Sequence, residues 1–389
     1  MKQIVVESSY GSIWREIIEG ITWFARDQRL AWQINCVTTP ELARVIAFQP
    51  HGVICLLRHA QRGLIRQLAA SRIPAVNVLR EIHPGIPCVM SNNELIGERA
   101  ADYLHGKGFR RFGFVGVDRF WSHEREQGYR RRVQAMGYEV VRCPVRLKID
   151  GLRPVTATVV HRGLQQWLAG LAKPVALFAG ADFLGRALIE TCCRGGIAVP
   201  EEAAILGVDN DLAICDLTSV PLSSIPQNMR RIGFEAARLL EGLLQRRTGR
   251  WRRRKSGRSS ILRITPREVV VRRSTDFIAI ENPQVAAAMR HISTTDVERL
   301  DMKGLLRQVG VSRQWLDRQF RAAIGSTPSE EIRRQKLAGA RSLLLETHLS
   351  VQAVAVRCGF TQGENLSRFF KEHIGMSPRE FRQQHGFVA

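Results

Sequence analysis

The chain is poor in the features that mark several classes of protein. Its 389 residues include eight cysteines, but these are scattered and none stands at metal-ligand spacing. Cys192 and Cys193 are adjacent, which suits neither a zinc site nor an ordinary disulfide. Reduced thiols in a cytoplasmic protein are the simplest reading. No uninterrupted apolar stretch is long enough to span a bilayer, and the opening Met1-Lys2-Gln3-Ile4-Val5-Val6-Glu7 lacks the apolar run and cleavage site of a secretory signal. There is no phosphate-cradling Gly-rich loop with Lys, no two-His zinc helix and no strand-borne nucleophile elbow. These gaps argue against the commonest enzyme classes, and no metal, cofactor or catalytic residue is expected.

Acidic residues are scarce too. Asp and Glu number 36 against 58 Lys and Arg, a formal charge of +22. Such a surplus points to a polyanion, and without a membrane segment that means nucleic acid rather than a membrane. What is present is globular: hydrophobic residues are 44% and charged residues 24%. The length suggests two or three domains. Between Arg246 and Arg273 stand twelve basic residues and one acidic residue, so half the net charge lies there. The run Arg252–Arg258 reads as an exposed loop, either merely solvated or in contact with DNA phosphates.

The first 275 residues alternate short apolar runs with helical patterns. Strands are expected at Ile4–Val6, Ile34–Val37, Val53–Leu57, Ala75–Val78, Phe112–Val115, Tyr138–Val141, Ala176–Phe178, Ile205–Val208 and Glu268–Val271. Helices are expected at Ile13–Arg26, Leu64–Ala70, Glu94–Gly106, Glu124–Met136, Phe183–Cys193 and Met229–Gln245. Apolar strands interleaved with helices imply parallel sheets covered on both faces, and this length implies two α/β lobes. Ligands in such folds bind beyond the carboxyl ends of strands. Tyr10, Ile13, Trp14, Arg80, Trp121, Arg125, Asp182 and Asp209 fall there. Rings that stack on a sugar and side chains that bond its hydroxyls make these the effector candidates. The plainer alternatives are a helix N-cap for Asp182 and a core position for Trp14.

Ile205-Leu206-Gly207-Val208-Asp209-Asn210, Leu222-Ser223-Ser224-Ile225-Pro226-Gln227, Ala176–Asp182 and Arg125 ahead of Gly128-Tyr129 carry a resemblance to the LacI/GalR and periplasmic sugar-binding fold. Pro266–Ser274 resembles that fold's closing strand. The resemblance implies that Arg125 and Asp209 touch the effector, and that Ile13 and Trp14 occupy a pair usually aromatic. Ile13 departs from that pattern, as does Ala181, where sugar binders often have Asn. The small DNA-binding head that normally precedes this fold is missing, so DNA must be bound elsewhere.

The last hundred residues repeat at an offset of 50. Leu316–Glu330 and Leu366–Glu380 share seven of fifteen residues, and two more are near matches. Each copy reads as helix, tight turn, helix: Leu305–Val309 then Ser312–Ala323, and Val351–Arg357 then a helix opened by Thr361. Gln314, Asp317 and Arg318 share one face of the first reading helix, and Glu364, Asn365 and Arg368 one face of the second. Trp315, Leu316, Phe320, Leu366, Phe369 and Phe370 fall on the core side. The helix Glu330–Glu346 joins the copies and would be about 25 Å long, a scale that suits reading helices in successive major grooves.

This stretch strongly resembles the AraC-type DNA-binding domain, most specifically in Ser350–Phe360, Leu366–Lys371 and Gly375–Arg382. The resemblance implies DNA contacts from Arg313, Gln314, Asp317, Arg318, Gly363, Glu364, Asn365 and Arg368. Gly363 offers no side chain, so the second helix would read fewer bases. The expected architecture is a two-lobed α/β periplasmic-binding-protein-like domain (1–275), a linker (276–285) and an all-α double helix-turn-helix domain (286–389). The expected function is a sugar-responsive regulator that activates a carbohydrate-utilisation operon. Its expected partners are double-stranded DNA, a second copy of the chain, RNA polymerase and a sugar. Over the whole chain the resemblance implies a pentose such as D-xylose, entering between the lobes. The competing readings are an enzyme acting on a sugar or nucleotide, with Asp182 and Asp209 as an acid/base pair, and a free-standing sugar-binding protein.

Overall fold

Strands such as Val53-Ile54-Cys55, apolar at every position, need cover on both faces, and the fold supplies it. The computed structural model describes all residues except 9–11, 58–60, 80–84, 146–148, 151–152, 155–157, 248–260, 281 and 386–389. The chain forms two units: Met1–Leu95 with Arg119–Trp121 and Pro226–Pro266, and Ile96–Asp118 with Ser122–Ile225 and Arg267–Ala389.

The first unit opens with β1 (Lys2–Glu7), α1 (Ser12–Asp27), β2 (Trp32–Val37), α2 (Thr39–Val45), β3 (Gly52–Cys55), α3 (Arg62–Ser71), β4 (Ala75–Val78) and β5 (Cys88–Ser91). Then follow α4 (Asn93–Gly106), β6 (Phe112–Val115), α5 (Phe120–Ala135), β7 (Val140–Arg142) and a short hairpin, β8 (Ile149–Asp150) with β9 (Arg153–Pro154). The second unit continues with α6 (Thr158–Ala169), β10 (Val175–Ala179), α7 (Asp182–Arg194), β11 (Ala203–Val208), α8 (Leu212–Cys215) and β12 (Ser223–Ile225). The chain returns to the first unit for α9 (Met229–Arg247) and β13 (Ile261–Ile264). A helical region closes it: α10 (Pro283–Thr294), α11 (Met302–Val309), α12 (Arg313–Ile324), α13 (Pro328–Glu346), α14 (Val351–Arg357), α15 (Gly363–Ile374) and α16 (Pro378–His385).

Both large sheets are wholly parallel, ordered β13-β5-β4-β3-β1-β2 in the first unit and β12-β11-β10-β6-β7 in the second. In the first unit Ile4, Val6, Ile54 and Val76 pack against Ile17 and Ile21 of α1 and Ile232 and Ala236 of α9. Leu42 and Leu68 cover the other face. In the second unit Phe112, Phe114 and Phe178 pack against Ile96 and Tyr129.

Several elements were not anticipated, among them α2, β5, α6, α8, α10, β12 and β13. Glu268–Val271 is no strand; it makes one antiparallel bridge, between Val270 and Ser224. The strand at the edge of the first sheet is instead β13, which pairs with β5. The helical region has two cores that share α13. Leu305, Leu316, Phe320 and Ile332 line one, and Ala340, Leu344, Leu366 and Phe370 the other. Asp276–Ile280 is bonded to its surroundings, as in the Ala279 N–H to the Lys107 carbonyl. Phe277 and Ala279 face the α/β core, while Ile278 and Ile280 join the first helical core, the alternation of an extended chain. Asn282 caps α10.

Helices α1 and α9 cross at two glycines. A Cβ on Gly20 would stand 1.9 Å from the carbonyl oxygen of Arg230, and one on Gly233 2.0 Å from that of Ile17. Both neighbours are backbone and cannot rotate away. Gly242, also on α9, has open space around it. We therefore expect Gly233→Ala to destabilise the chain by about 1–3 kcal/mol and Gly242→Ala to stabilise it by roughly 0.5–1 kcal/mol, read as opposite shifts of the urea midpoint.

Candidate ligand-binding strand ends and nucleic-acid interface

In the second unit β11 ends in a turn that few residues adopt. Asp209 and Asn210 have φ of 116° and 55°. The turn is held from beneath by Asp182, which is 1% exposed. Ser224 Oγ donates to its Oδ1 at 2.6 Å, while the Asp211 N–H and Cys215 Sγ donate to Oδ2 at 2.8 and 3.3 Å. Ser224 Oγ in turn accepts the Asn210 N–H at 2.9 Å. Asp182 is thus no helix cap: Ala181 occupies the N-cap of α7, and the carboxylate reaches across to β12 and the turn. Burial first, and then the Asp209 carboxylate, push Asp182 up to about 8, against its three donors.

Arg125, on α5, is 2% exposed. Its Nη1 donates to the Gly180 carbonyl at 2.5 Å, and Nη2 stands 3.8 Å from Asp209 Oδ1. Burial lowers its pKa, and Asp209 and Asp182 oppose that. Asp209 keeps 18% of its side chain exposed. The second unit therefore brings Arg125, Asp182 and Asp209 together, with Asp182 engaged by the protein, Arg125 buried and Asp209 partly exposed.

In the first unit the buried Glu7 ends β1, accepting from Thr39 Oγ1 at 2.5 Å and the Leu56 N–H at 2.8 Å. Trp14 is 5% exposed and belongs to the core under α1, the plainer of its two readings. Ile13 lies in α1 and Trp121, half-buried, in the first turn of α5. Tyr10, Arg80 and the arginine-rich loop Arg252–Arg258 lie outside the described residues.

The repeat in the helical region is a repeat of caps as well as of core. Gly325 and Gly375 end α12 and α15 at φ of 81° and 82°. Two residues on, Thr327-Pro328-Ser329-Glu330 and Ser377-Pro378-Arg379-Glu380 open α13 and α16 with reciprocal capping boxes. On α12, Arg313, Gln314 and Arg318 are exposed, Asp317 partly so, and Leu316 and Phe320 buried. On α15, Glu364 and Arg368 are exposed, Gly363 and Asn365 partly so, and Leu366 and Phe370 buried. Asp317 pairs with Arg313 at 3.9 Å, while its Oδ1 is enclosed without a hydrogen-bond partner. Arg368 donates to Asn365 at 3.4 Å.

The copies differ at the start of the reading helix. Ser312 caps α12 through the Trp315 N–H. Thr361 does not cap α15; the N-cap is Gln362, whose side chain makes no cap bond. The missing acceptor comes from α14, where Gln352 Oε1 takes the Gly363 N–H at 2.6 Å. A Cβ at Gly363 would lie 3.0 Å from that oxygen, so glycine makes room for the borrowed cap. Sequence reasoning missed Gln352 because its partner lies 11 residues away, on another helix.

Comparison with known proteins agrees with this architecture. Residues 101–275 match a periplasmic binding protein-like domain and residues 305–384 a helix-turn-helix domain. The xylose operon regulatory protein of Escherichia coli K12 is 28% identical over 381 residues, 95% of this chain and 93% of the relative. The Haemophilus influenzae protein of that name is 27% identical over 385 residues, 95% and 94% of the two chains. The solved structure of the xylose-binding transcription activator XylR matches with a TM-score of 0.59 at 26% identity, covering 99% of this chain and 98% of that one. The regulator CelR in complex with cellobiose shares the fold over 70% of this chain and 84% of its own, with a TM-score of 0.54 at 23% identity. The chain is thus a transcriptional regulator, homologous along nearly its whole length to the xylose operon regulatory proteins, with a periplasmic binding protein-like α/β region ahead of an AraC-type double helix-turn-helix domain.

Proposed function

We propose that the chain is a cytoplasmic, sugar-responsive regulator that binds operator DNA as a dimer, recruits RNA polymerase and takes a pentose, D-xylose, as its effector. The observation that carries the sugar reading is the pairing of the buried Arg125 with the partly exposed Asp209 at the end of β11, on a turn fixed from within. A guanidinium and a carboxylate so placed bond vicinal hydroxyls as donor and acceptor. Asp182 serves the site by holding the turn, since its oxygens are already engaged. Tyr10, Ile13, Trp14, Arg80 and Trp121 are proposed as the first unit's effector contacts, Trp14 the least accessible of those described. Arg313, Gln314, Asp317, Arg318, Gly363, Glu364, Asn365 and Arg368 are proposed to face DNA, with Gly363 offering no side chain and its amide held by Gln352. Arg318 and Arg368, exposed at matching positions of the two reading helices, are the proposed base readers.

A thermal-shift titration tests the effector. D-Xylose at ~100 times its dissociation constant should stabilise the chain by about 2.7 kcal/mol. Asp209→Asn, which keeps the shape and removes the charge, should shrink that shift. A panel of pentoses and hexoses that leaves melting unchanged would remove the sugar reading.

DNA titrations with specific and random duplexes test the readers. Arg318→Ala and Arg368→Ala should each cost about 1–3 kcal/mol of sequence discrimination and little nonspecific affinity. Equal loss on both duplexes would make them phosphate contacts.

The state of Asp182 has a pH signature. Its folded pKa, about 8, lies above the ordinary 3.8, so between these values the folded chain holds a proton that the unfolded chain has released. The associated stability is complete below about pH 4 and is lost as pH rises through about 8. The melting temperature should therefore fall more between pH 5 and 8 in the wild type than in Asp182→Asn. Parallel curves would contradict the assignment.

A further inference from the structure

Arg272 lies 62 residues from Asn210 in sequence, yet its side chain is bonded to the Asp209–Asn210 turn. Its Nη1 donates to Asn210 Oδ1 and to the Leu222 carbonyl, both at 3.0 Å, and its Nε to Asp216 Oδ1 at 2.9 Å. Its side chain is only 14% exposed. The guanidinium therefore ties the turn, through Asn210, to Leu222 at the entry to β12 and to Asp216.

The backbone of Arg272 is bonded in the other direction. Its N–H donates to Ser223 Oγ at 2.8 Å, and its carbonyl accepts from the same hydroxyl at 2.9 Å. With that proton committed, Ser223 Oγ accepts from Thr275 Oγ1 at 2.7 Å. Thr275 has then spent its own proton, so the 2.7 Å bond to Tyr103 must run from the tyrosine hydroxyl. Three buried hydroxyls are thus aligned in one sense, Tyr103 to Thr275 to Ser223, ending on the Arg272 carbonyl. Such chains strengthen one another in a medium of low dielectric, and breaking one member leaves the rest unsatisfied. Beyond Thr275, the Ala279 N–H donates at 2.9 Å to the carbonyl of Lys107, which follows α4 and whose own N–H donates to the Tyr103 carbonyl. Ile278 and Ile280 enter the core beneath α12.

We propose that Arg272 is a positioning residue: it fixes the Asp209–Asn210 turn and ties it to the segment Ser274–Ile280, so that a change at the turn is felt where the chain enters the DNA-reading domain. The proposal rests on the reading of that turn as an effector contact. It does not depend on which sugar is bound.

Hydrogen exchange on the full chain, without ligand, tests it. In Arg272→Gln, peptides containing Asn210 and peptides containing Ala279 should both exchange about tenfold faster than in the wild type, because both ends of the network are loosened. Arg272→Lys, whose single nitrogen must stand in for both Nε and Nη1 and so cannot reproduce the two-point hold on Asp216 and on Asn210 with Leu222, should act in the same direction more weakly. It serves if the glutamine variant fails to fold. Arg273→Gln, at the exposed neighbour, should leave both peptides unchanged. Faster exchange confined to the Asn210 peptide, or no change in either, would overturn the proposal. With D-xylose added, the wild type should slow at both peptides and Arg272→Lys at the first alone; equal slowing of both in the variant would also overturn it. A wild type indifferent to D-xylose would count against the sugar reading, and the ligand-free comparison would still decide the role of Arg272.

Discussion

The buried carboxylate of Asp182 is the constraint on which the end of the second sheet depends. Three donors converge on it from β12, the turn after β11 and α8. A carboxylate so buried is costly when ionised and unpartnered, and its donors moderate that cost. In return, one side chain fixes where β11 stops and where Asp209 points. Removing it would leave a hydroxyl, an amide and a thiol without their acceptor. The turn bears residues at positive φ because its surroundings over-determine it, the situation in which backbone strain is tolerated at functional sites.

The helical region answers a different constraint, the need to present two similar surfaces at a fixed separation. Its solution is to repeat the helix ends. Glycine C-caps and Thr/Ser-Pro-x-Glu boxes stop and start the helices at equivalent positions, and α13, 19 residues long, carries one copy to the other. At 1.5 Å per residue that helix spans about 27 Å. Divergence is concentrated where the reading helices begin. There α12 carries its own serine cap and Arg313, while α15 borrows Gln352 and keeps glycine. The second helix exchanges a side chain at that position for a fixed amide.

Much of this was legible in the sequence, for reasons visible in particular residues. Parallel strands buried on both faces, such as Val53-Ile54-Cys55 and Ala176-Leu177-Phe178, announce themselves by apolar content alone. The repeated Leu, Phe, Ile, Gly, Pro and Glu of the C-terminal region announce themselves because caps and core use the same residue types twice. Other elements carried weak local signals. β13 is a four-residue strand beside an arginine-rich run, and two of its residues are exposed. β5 follows a proline-containing stretch, and its pattern is too short to show a period. Contacts between distant segments were invisible. Asp182 has the local signature of a cap, and only the position of Ser224, 42 residues on, shows its carboxylate turned elsewhere. Arg272 looked like one arginine among many, because its partners lie 49 to 62 residues away.

The central claim is that effector binding and DNA reading are linked in one chain. Linkage is reciprocal: if a sugar changes DNA affinity by some factor, DNA must change sugar affinity by the same factor. The most direct measurement is a pair of titrations on the purified full chain, using duplexes that it enriches from a random library. One follows DNA affinity with and without saturating D-xylose, the other D-xylose affinity with and without saturating duplex. The account predicts equal factors well above one, in the range of about 5–150 typical of such couplings. A factor of one in both titrations, with each ligand bound, would contradict it.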